Sequence, residues 1–191
     1  KAAGFNNPRN PVRQIMRNNL NDNNYNASAF GNVYVEYEPI KDLILKTSIG
    51  GQYSGYGYKD YNYKYLGDSE PEASDSFYEG SGYNFAYTFT NTAAYKYQFR
   101  KHGVKVLAGM EALNTGAGRQ MSGSGINPFS MDTDFVTLSS VQSPVVNSSL
   151  YSGVNFYSLF SKLDYNFNEK YYLTGVVRRD GSSRFGSENR Y

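Results

Sequence analysis

Four tyrosines, Tyr56, Tyr58, Tyr61 and Tyr63, recur two or three residues apart beside the glycines of a Gly-Tyr-Gly-Tyr run. Flat aromatic faces stack on sugar rings and phenolic hydroxyls bond sugar hydroxyls, so all four are candidate substrate contacts. The alternative for Tyr61, Tyr63 and Tyr65 is an aromatic girdle, or a strand continued above a membrane. Five carboxylates cluster nearby, at Asp68, Glu70, Glu72, Asp75 and Glu79. Glycoside hydrolysis needs two carboxyls held roughly 5–9.5 Å apart across a substrate, and calcium needs a Gly-centred loop order that these acids lack. They read as a solvated acidic loop. His102 is the only histidine; with no Ser, Asp or Cys motif beside it, it reads as a solvated turn residue. The run from Arg178 to Arg184 lacks the strand–glycine loop–helix context of a phosphate cradle, and Asp180-Gly181 is a turn signal. No clustered nucleophile and base is present, so the chain is not expected to be an enzyme. Neither a metal nor another cofactor is expected.

The elements that must carry these residues are strands. From 85 to 99, Phe85, Tyr87, Phe89, Ala93, Tyr95, Tyr97 and Phe99 alternate with Ala86, Thr88, Thr90, Thr92, Ala94, Lys96 and Gln98. Successive side chains of a strand point to opposite faces, so one face is apolar and the other polar. The alternation runs far beyond the usual strand of about five or six residues. It is long enough for a tilted strand to cross a bilayer and continue. Similar alternation predicts about six strands: 27–37, 43–58, 83–99, 104–116, 156–167 and 171–179. Connections alternate between short turns near 38–42, 100–103 and 168–170 and long loops at 59–82 and 117–154. Transmembrane barrels have this asymmetry, with tight periplasmic turns and long extracellular loops. The predicted fold is therefore all-β: an antiparallel meander forming a partial wall of a large transmembrane barrel. Residues 1–26 read as a loop with a short helical turn at 12–17.

On this reading Val35, Leu45, Phe89, Val106 and Leu159 face lipid. The charged residues Glu36, Lys46, Lys96, Lys105, Glu111, Lys162, Asp164 and Arg178 face the lumen. Aromatic residues crowd the strand ends beside the short turns, as in an interfacial girdle.

Composition agrees. Of 191 residues, 20 are Tyr and 12 are Phe, and no stretch approaches the apolar length of a membrane helix. A mean hydropathy of −0.63 does not exclude the membrane, since a barrel strand shows lipid only every second residue. Net charge is +2 without a Lys/Arg block, which argues against nucleic acid as a partner. The absence of Cys removes disulfide frameworks and thiolate metal sites. Polar, loop-like ends and the lack of an initiator Met lead to the expectation of an internal piece of a longer protein.

Three stretches resemble the barrel of SusC/RagA-like TonB-dependent transporters. The first is Asn32-Val33-Tyr34-Val35-Glu36-Tyr37-Glu38-Pro39-Ile40 with the following 43–50. The second is Leu107-Ala108-Gly109-Met110-Glu111. The third is Tyr157-Ser158-Leu159-Phe160-Ser161-Lys162-Leu163-Asp164-Tyr165, continued to Arg178-Arg179-Asp180-Gly181-Ser182-Ser183-Arg184-Phe185-Gly186. The resemblance covers most of 27–191. It implies one barrel domain in the cell outer membrane, surrounded by lipid, with a plug domain outside this sequence. It also implies import of oligosaccharides, or alternatively peptides, with a SusD-like surface lipoprotein as lid and the TonB complex as the source of energy. Arg178 and Arg184 are then expected to pair with barrel or plug carboxylates. A structural or adhesive β-rich surface protein is the competing class, and would need a regular sequence period.

Overall fold

A computed structural model describes residues 12, 23–64, 66, 72–130, 132 and 134–186. The predicted turn at 12–17 lies outside them except for Val12. The described residues form seven strands: β1 (Asn23–Ile40), β2 (Leu43–Asn62), β3 (Ser76–Phe99), β4 (His102–Ile126), β5 (Gln142–Tyr151), β6 (Asn155–Phe167) and β7 (Tyr171–Ser182). Neighbours lie in the order β1-β2-β3-β4-β6-β7, with β5 also paired to β4. The pairs β4–β6 and β6–β7 are antiparallel. The chain therefore makes the predicted all-β meander, with four corrections to its boundaries.

Seven strands form where about six were expected, because the predicted loop 117–154 contains β5. Its sequence, Gln-Ser-Pro-Val-Val-Asn-Ser-Ser-Leu-Tyr, has no alternation and carries a proline, so only its pairing with β4 reveals it as a strand. β2 and β3 run further than their apolar alternation, which narrows the loop 59–82 to 63–75, and β4 runs into the predicted loop 117–154 as far as Ile126. β1 starts at Asn23, inside the predicted 1–26 loop. Glu38, Pro39 and Ile40 belong to β1, leaving Lys41 and Asp42 as the turn. Pro39 cannot donate to a ladder and is tolerated because β1 has β2 as its one partner strand among the described residues.

The turns at 41–42, 100–101 and 168–170 all contain left-handed residues: Asp42 at φ 68°, Arg100 at 51°, Asn168 at 55° and Glu169 at 56°. Asp and Asn tolerate this region; Arg and Glu adopt it at some cost.

Two compact units divide the chain. The first comprises Lys1–Ala27, Ser54–Tyr83 and Arg119–Leu150; the second comprises Ser28–Tyr53, Asn84–Gly118 and Tyr151–Tyr191. In the first, Tyr61, Phe77 and Val136 form a buried cluster joined by Tyr63, Leu138 and Val141. A 3-10 turn at Leu138–Ser140 holds the 136–141 segment in shape: the Thr137 N–H donates to Ser140 Oγ at 2.9 Å and the Ser140 N–H to the Thr137 carbonyl at 2.9 Å. In the second unit, large apolar side chains such as Val33, Val35, Leu45, Phe85, Leu159 and Val177 stay exposed. A soluble protein of this size does not leave so much apolar surface uncovered without a partner for it.

Candidate functional site

The second unit gathers most of its strand charges on one sheet face; Arg179, opposite Leu159 near the end of β7, lies on the other. Lys105 pairs with Asp164, which in turn pairs with Thr174; Glu111 pairs with Ser158, which pairs with Asp180. Directly paired residues share a face. The other parity places Val106 opposite Leu163, and Met110 opposite Leu159. Ion pairs tie the charged face together: Lys46 to Glu36 at 3.6 Å, Lys162 to Asp164 at 2.9 Å and Arg178 to Glu111 at 3.1 Å. Lys46 also lies 4.0 Å from the centroid of the Tyr34 ring. Seven of the eight charged residues predicted for one face thus meet neighbours on that face. The eighth, Lys96, has its backbone N–H donated to the Asp42 carbonyl at 3.0 Å.

Arg178 is the centre of a connected group on this face. Its Nε donates to Asp180 Oδ1 at 2.7 Å, and its Nη2 donates to Glu111 Oε1 at 3.1 Å and to Ser158 Oγ at 2.9 Å. Ser158 in turn donates to Asp180. The guanidinium stands 5.6 Å from the Phe160 ring centroid, and that ring covers Gly109. The fork geometry of Arg suits two carboxylates at once, which a Lys could not match. Because these groups are exposed to solvent that screens them, the coupling between Arg178 and Glu111 is expected to be small. A double-mutant cycle with Arg178→Met and Glu111→Gln, read from unfolding of the full-length protein, measures it.

The first unit contains a cleft of about 400 Å³, lined in part by Asn23, Tyr25, Tyr58, Lys59, Glu79 and Ser122. Tyrosines and glycines of adjacent strands build this region together. The Tyr25 ring covers Gly57, Tyr58 covers Gly80, and Tyr56 covers Gly82; a Cβ at any of these glycines would stand less than 3.0 Å from the ring. Each ring lies across a neighbouring strand because that strand offers no side chain in its path. The Tyr56 hydroxyl then reaches Gln120 Oε1 at 3.3 Å.

The four candidate tyrosines therefore separate. Tyr58 lines the cleft and Tyr56 is 39% exposed. Tyr61 is 3% exposed and packs against Phe77, with ring centroids 5.0 Å apart. It has no open face to offer a ligand. Tyr63 stacks beside Tyr61 at 6.5 Å and 15°. Burial, and then the charges around it at Tyr63, Glu79, Asp132 and Asp134, push the Tyr61 hydroxyl up to about 12. An unfolded tyrosine ionises near 10. The folded state holds the proton more tightly, so this contribution is complete below pH 10 and is lost as pH rises towards 12. The unfolding midpoint of the full-length protein should fall between pH 9 and 11.5, and Tyr61→Phe should reduce that fall.

Of the acidic group, Asp68 and Glu70 lie outside the described residues. Asp75 and Glu79 hold backbone: Asp75 Oδ1 accepts from the Lys64 N–H at 2.8 Å, and Glu79 Oε2 accepts from the Leu138 N–H at 3.4 Å. Lys59 donates to the Val136 carbonyl at 3.4 Å. Lys59 and Glu79 thus fasten the 136–138 segment over the Tyr61 cluster. Lys59, Tyr25 and Gln120 were not singled out by the sequence; the glycines opposite the tyrosines were the available signal. No three His, Cys, Asp or Glu side chains among the described residues stand together as a metal site. His102 packs against Phe167, and its Nδ1 lies 2.7 Å from the Tyr165 hydroxyl.

No family model matches the chain. It is similar to the TonB-dependent receptor P26 of Formosa agariphila, at 25% identity over 95% of this chain and 18% of that protein. It is also similar to the TonB-dependent receptor SusC of Bacteroides thetaiotaomicron, at 24% identity over 97% of this chain and 18% of that one. Among solved structures, the RagAB peptide transporter matches 94% of the chain with a TM-score of 0.76 and 26% identity, across 20% of its own chain. The chain spans about a fifth of the length of these relatives.

Proposed function

We propose that this chain, SusC/RagA-like along nearly its whole length, forms part of the barrel wall of a TonB-dependent importer of nutrients across the outer membrane. The observation that carries the reading is the division of the second unit's sheet into a face of ion pairs and a face of exposed aliphatic and aromatic groups. Lipid covers the apolar face and the watery lumen receives the charged one. Glu36, Lys46, Lys96, Lys105, Glu111, Lys162, Asp164 and Arg178 then line the transport path. Arg178, Glu111 and Asp180 neutralise one another in part, which limits how strongly the wall holds a charged cargo.

The cargo is an oligosaccharide, captured at the outer ends of the strands. Tyr58 in the cleft and the exposed Tyr56 support this, each lying across a glycine of the next strand. Peptide cargo is a second reading, favoured by the likeness to RagAB, a peptide transporter. A SusD-like lipoprotein lids the loops, and TonB coupling resides in parts of the longer protein.

Replacing 63–75 or 127–141 by short turns in the full-length protein tests the role of the loops. Surface expression is checked first, and uptake of labelled oligosaccharide and of labelled peptide is then compared. Loss of uptake or of lid association is expected; unchanged values in both deletions would sink the loops' part in capture. Tyr58→Ala should weaken oligosaccharide capture by about threefold to tenfold, the worth of one aromatic contact.

A further inference from the structure

We propose that the paired turns 100–101 and 168–170 form a docking surface for anionic phospholipid headgroups. The proposal rests on the barrel reading above, which places the short turns on the periplasmic side, where the leaflet consists of phospholipid.

The two turns are neighbours, since the Asn168 N–H donates to the Lys101 carbonyl at 2.6 Å. They present three cations, Arg100, Lys101 and Lys170, against one carboxylate, Glu169. None of the three forms an ion pair among the described residues. Instead, Arg100 stands 5.3 Å from the Phe99 ring centroid and Lys170 stands 5.8 Å from that of Tyr171. A cation poised over an aromatic ring keeps its donors free on the outer side. Exposed Tyr171, Tyr172 and Phe99 surround the group, and amphipathic rings of this kind sit at headgroup depth.

The backbone adds an independent observation. Arg100 holds φ at 51°, a left-handed position that glycine or asparagine would fill with less strain. Glu169 of the facing turn shares this conformation at 56°, so both turns hold a charged residue under backbone strain. A phosphodiester fits: its two non-ester oxygens accept from a guanidinium fork, with an ammonium on either side.

Full-length transporter in detergent is titrated with phosphatidylglycerol and, separately, with phosphatidylethanolamine, and retained lipid is counted by native mass spectrometry. The comparison variant carries Arg100→Asn, Lys101→Gln and Lys170→Gln; Asn suits the left-handed turn. Preferential retention of phosphatidylglycerol by the native protein is expected, falling about fivefold for each cation removed. Equal retention of the two lipids by the native protein, or unchanged preference in the variant, would overturn the proposal. Complete displacement of the lipid by millimolar inorganic phosphate would also overturn it, marking a site for soluble anions. Insertion into vesicles, followed by circular dichroism, is scored separately. Failure to insert defeats the barrel reading, whereas normal insertion without lipid preference defeats this proposal alone.

Discussion

Arginine at position 89 should cost the full-length protein about 2–4 kcal/mol of folding free energy in a bilayer if Phe89 lies near the midplane, whereas arginine at position 90 should cost little. The two sites adjoin on β3, so helix or strand propensity, loop length and distance from the turns are nearly the same for both. What differs is the face. Phe89 belongs to the parity of Phe85 and Tyr87, residues 47% and 44% exposed whose ring centroids lie 6.3 Å apart. A charge there must be drawn to the interface or hydrated by a defect in the bilayer. At Thr90 it would enter a face already lined with charges. Reversible unfolding of both variants from vesicles separates the cases. Equal tolerance would reverse or abolish the assignment of lipid and lumen faces.

Gly153→Ala is expected to cause a comparable loss by a different mechanism. Gly153 has φ +68°, and a Cβ built on it would stand 1.9 Å from the carbonyl oxygen of Gly116. That obstacle is backbone and cannot swing aside. Asn114 donates to Asn155 Oδ1 at 2.6 Å and accepts from the Gly116 N–H at 2.8 Å. The Thr115 N–H donates to Val154 O at 3.0 Å, and the Val154 N–H returns a bond to Thr115 Oγ1 at 2.9 Å. Making room therefore means separating several hydrogen bonds at once. A cost of about 3 kcal/mol, at the upper end for overpacking, is expected. Gly175→Ala is the control: no atom lies within 4 Å of its Cβ position, and alanine should be neutral or mildly stabilising in a strand interior. Unfolding midpoints of the two full-length variants should differ in that order. A Gly153→Ala protein as stable as the native one would show that the Gly116–Gly153 approach is not required.

Periodicity was enough to read the wall. Because side chains alternate with period two, the parities of 85–99, 104–112 and 157–167 could be assigned from the residues alone. The register now pairs Lys105 with Asp164 and Glu111 with Ser158 accordingly. Short turns were equally legible, since a two- or three-residue reversal between long alternating runs leaves the chain few other paths. β5 was not legible, because its pairing with β4 gives Gln142–Tyr151 a strand conformation that its own composition does not favour.

The candidate site divides in the same way. Sequence established that tyrosines cluster after residue 55, but it could not distinguish a platform from a core. Tertiary packing decided that, when Val136 arrived from a distant loop to bury Tyr61 against Phe77 while Tyr56 stayed exposed. Local alternation is a property of neighbours in the chain, so it survives in the sequence. Burial at position 61 depends on a residue 75 positions away, and no local pattern encodes that contact.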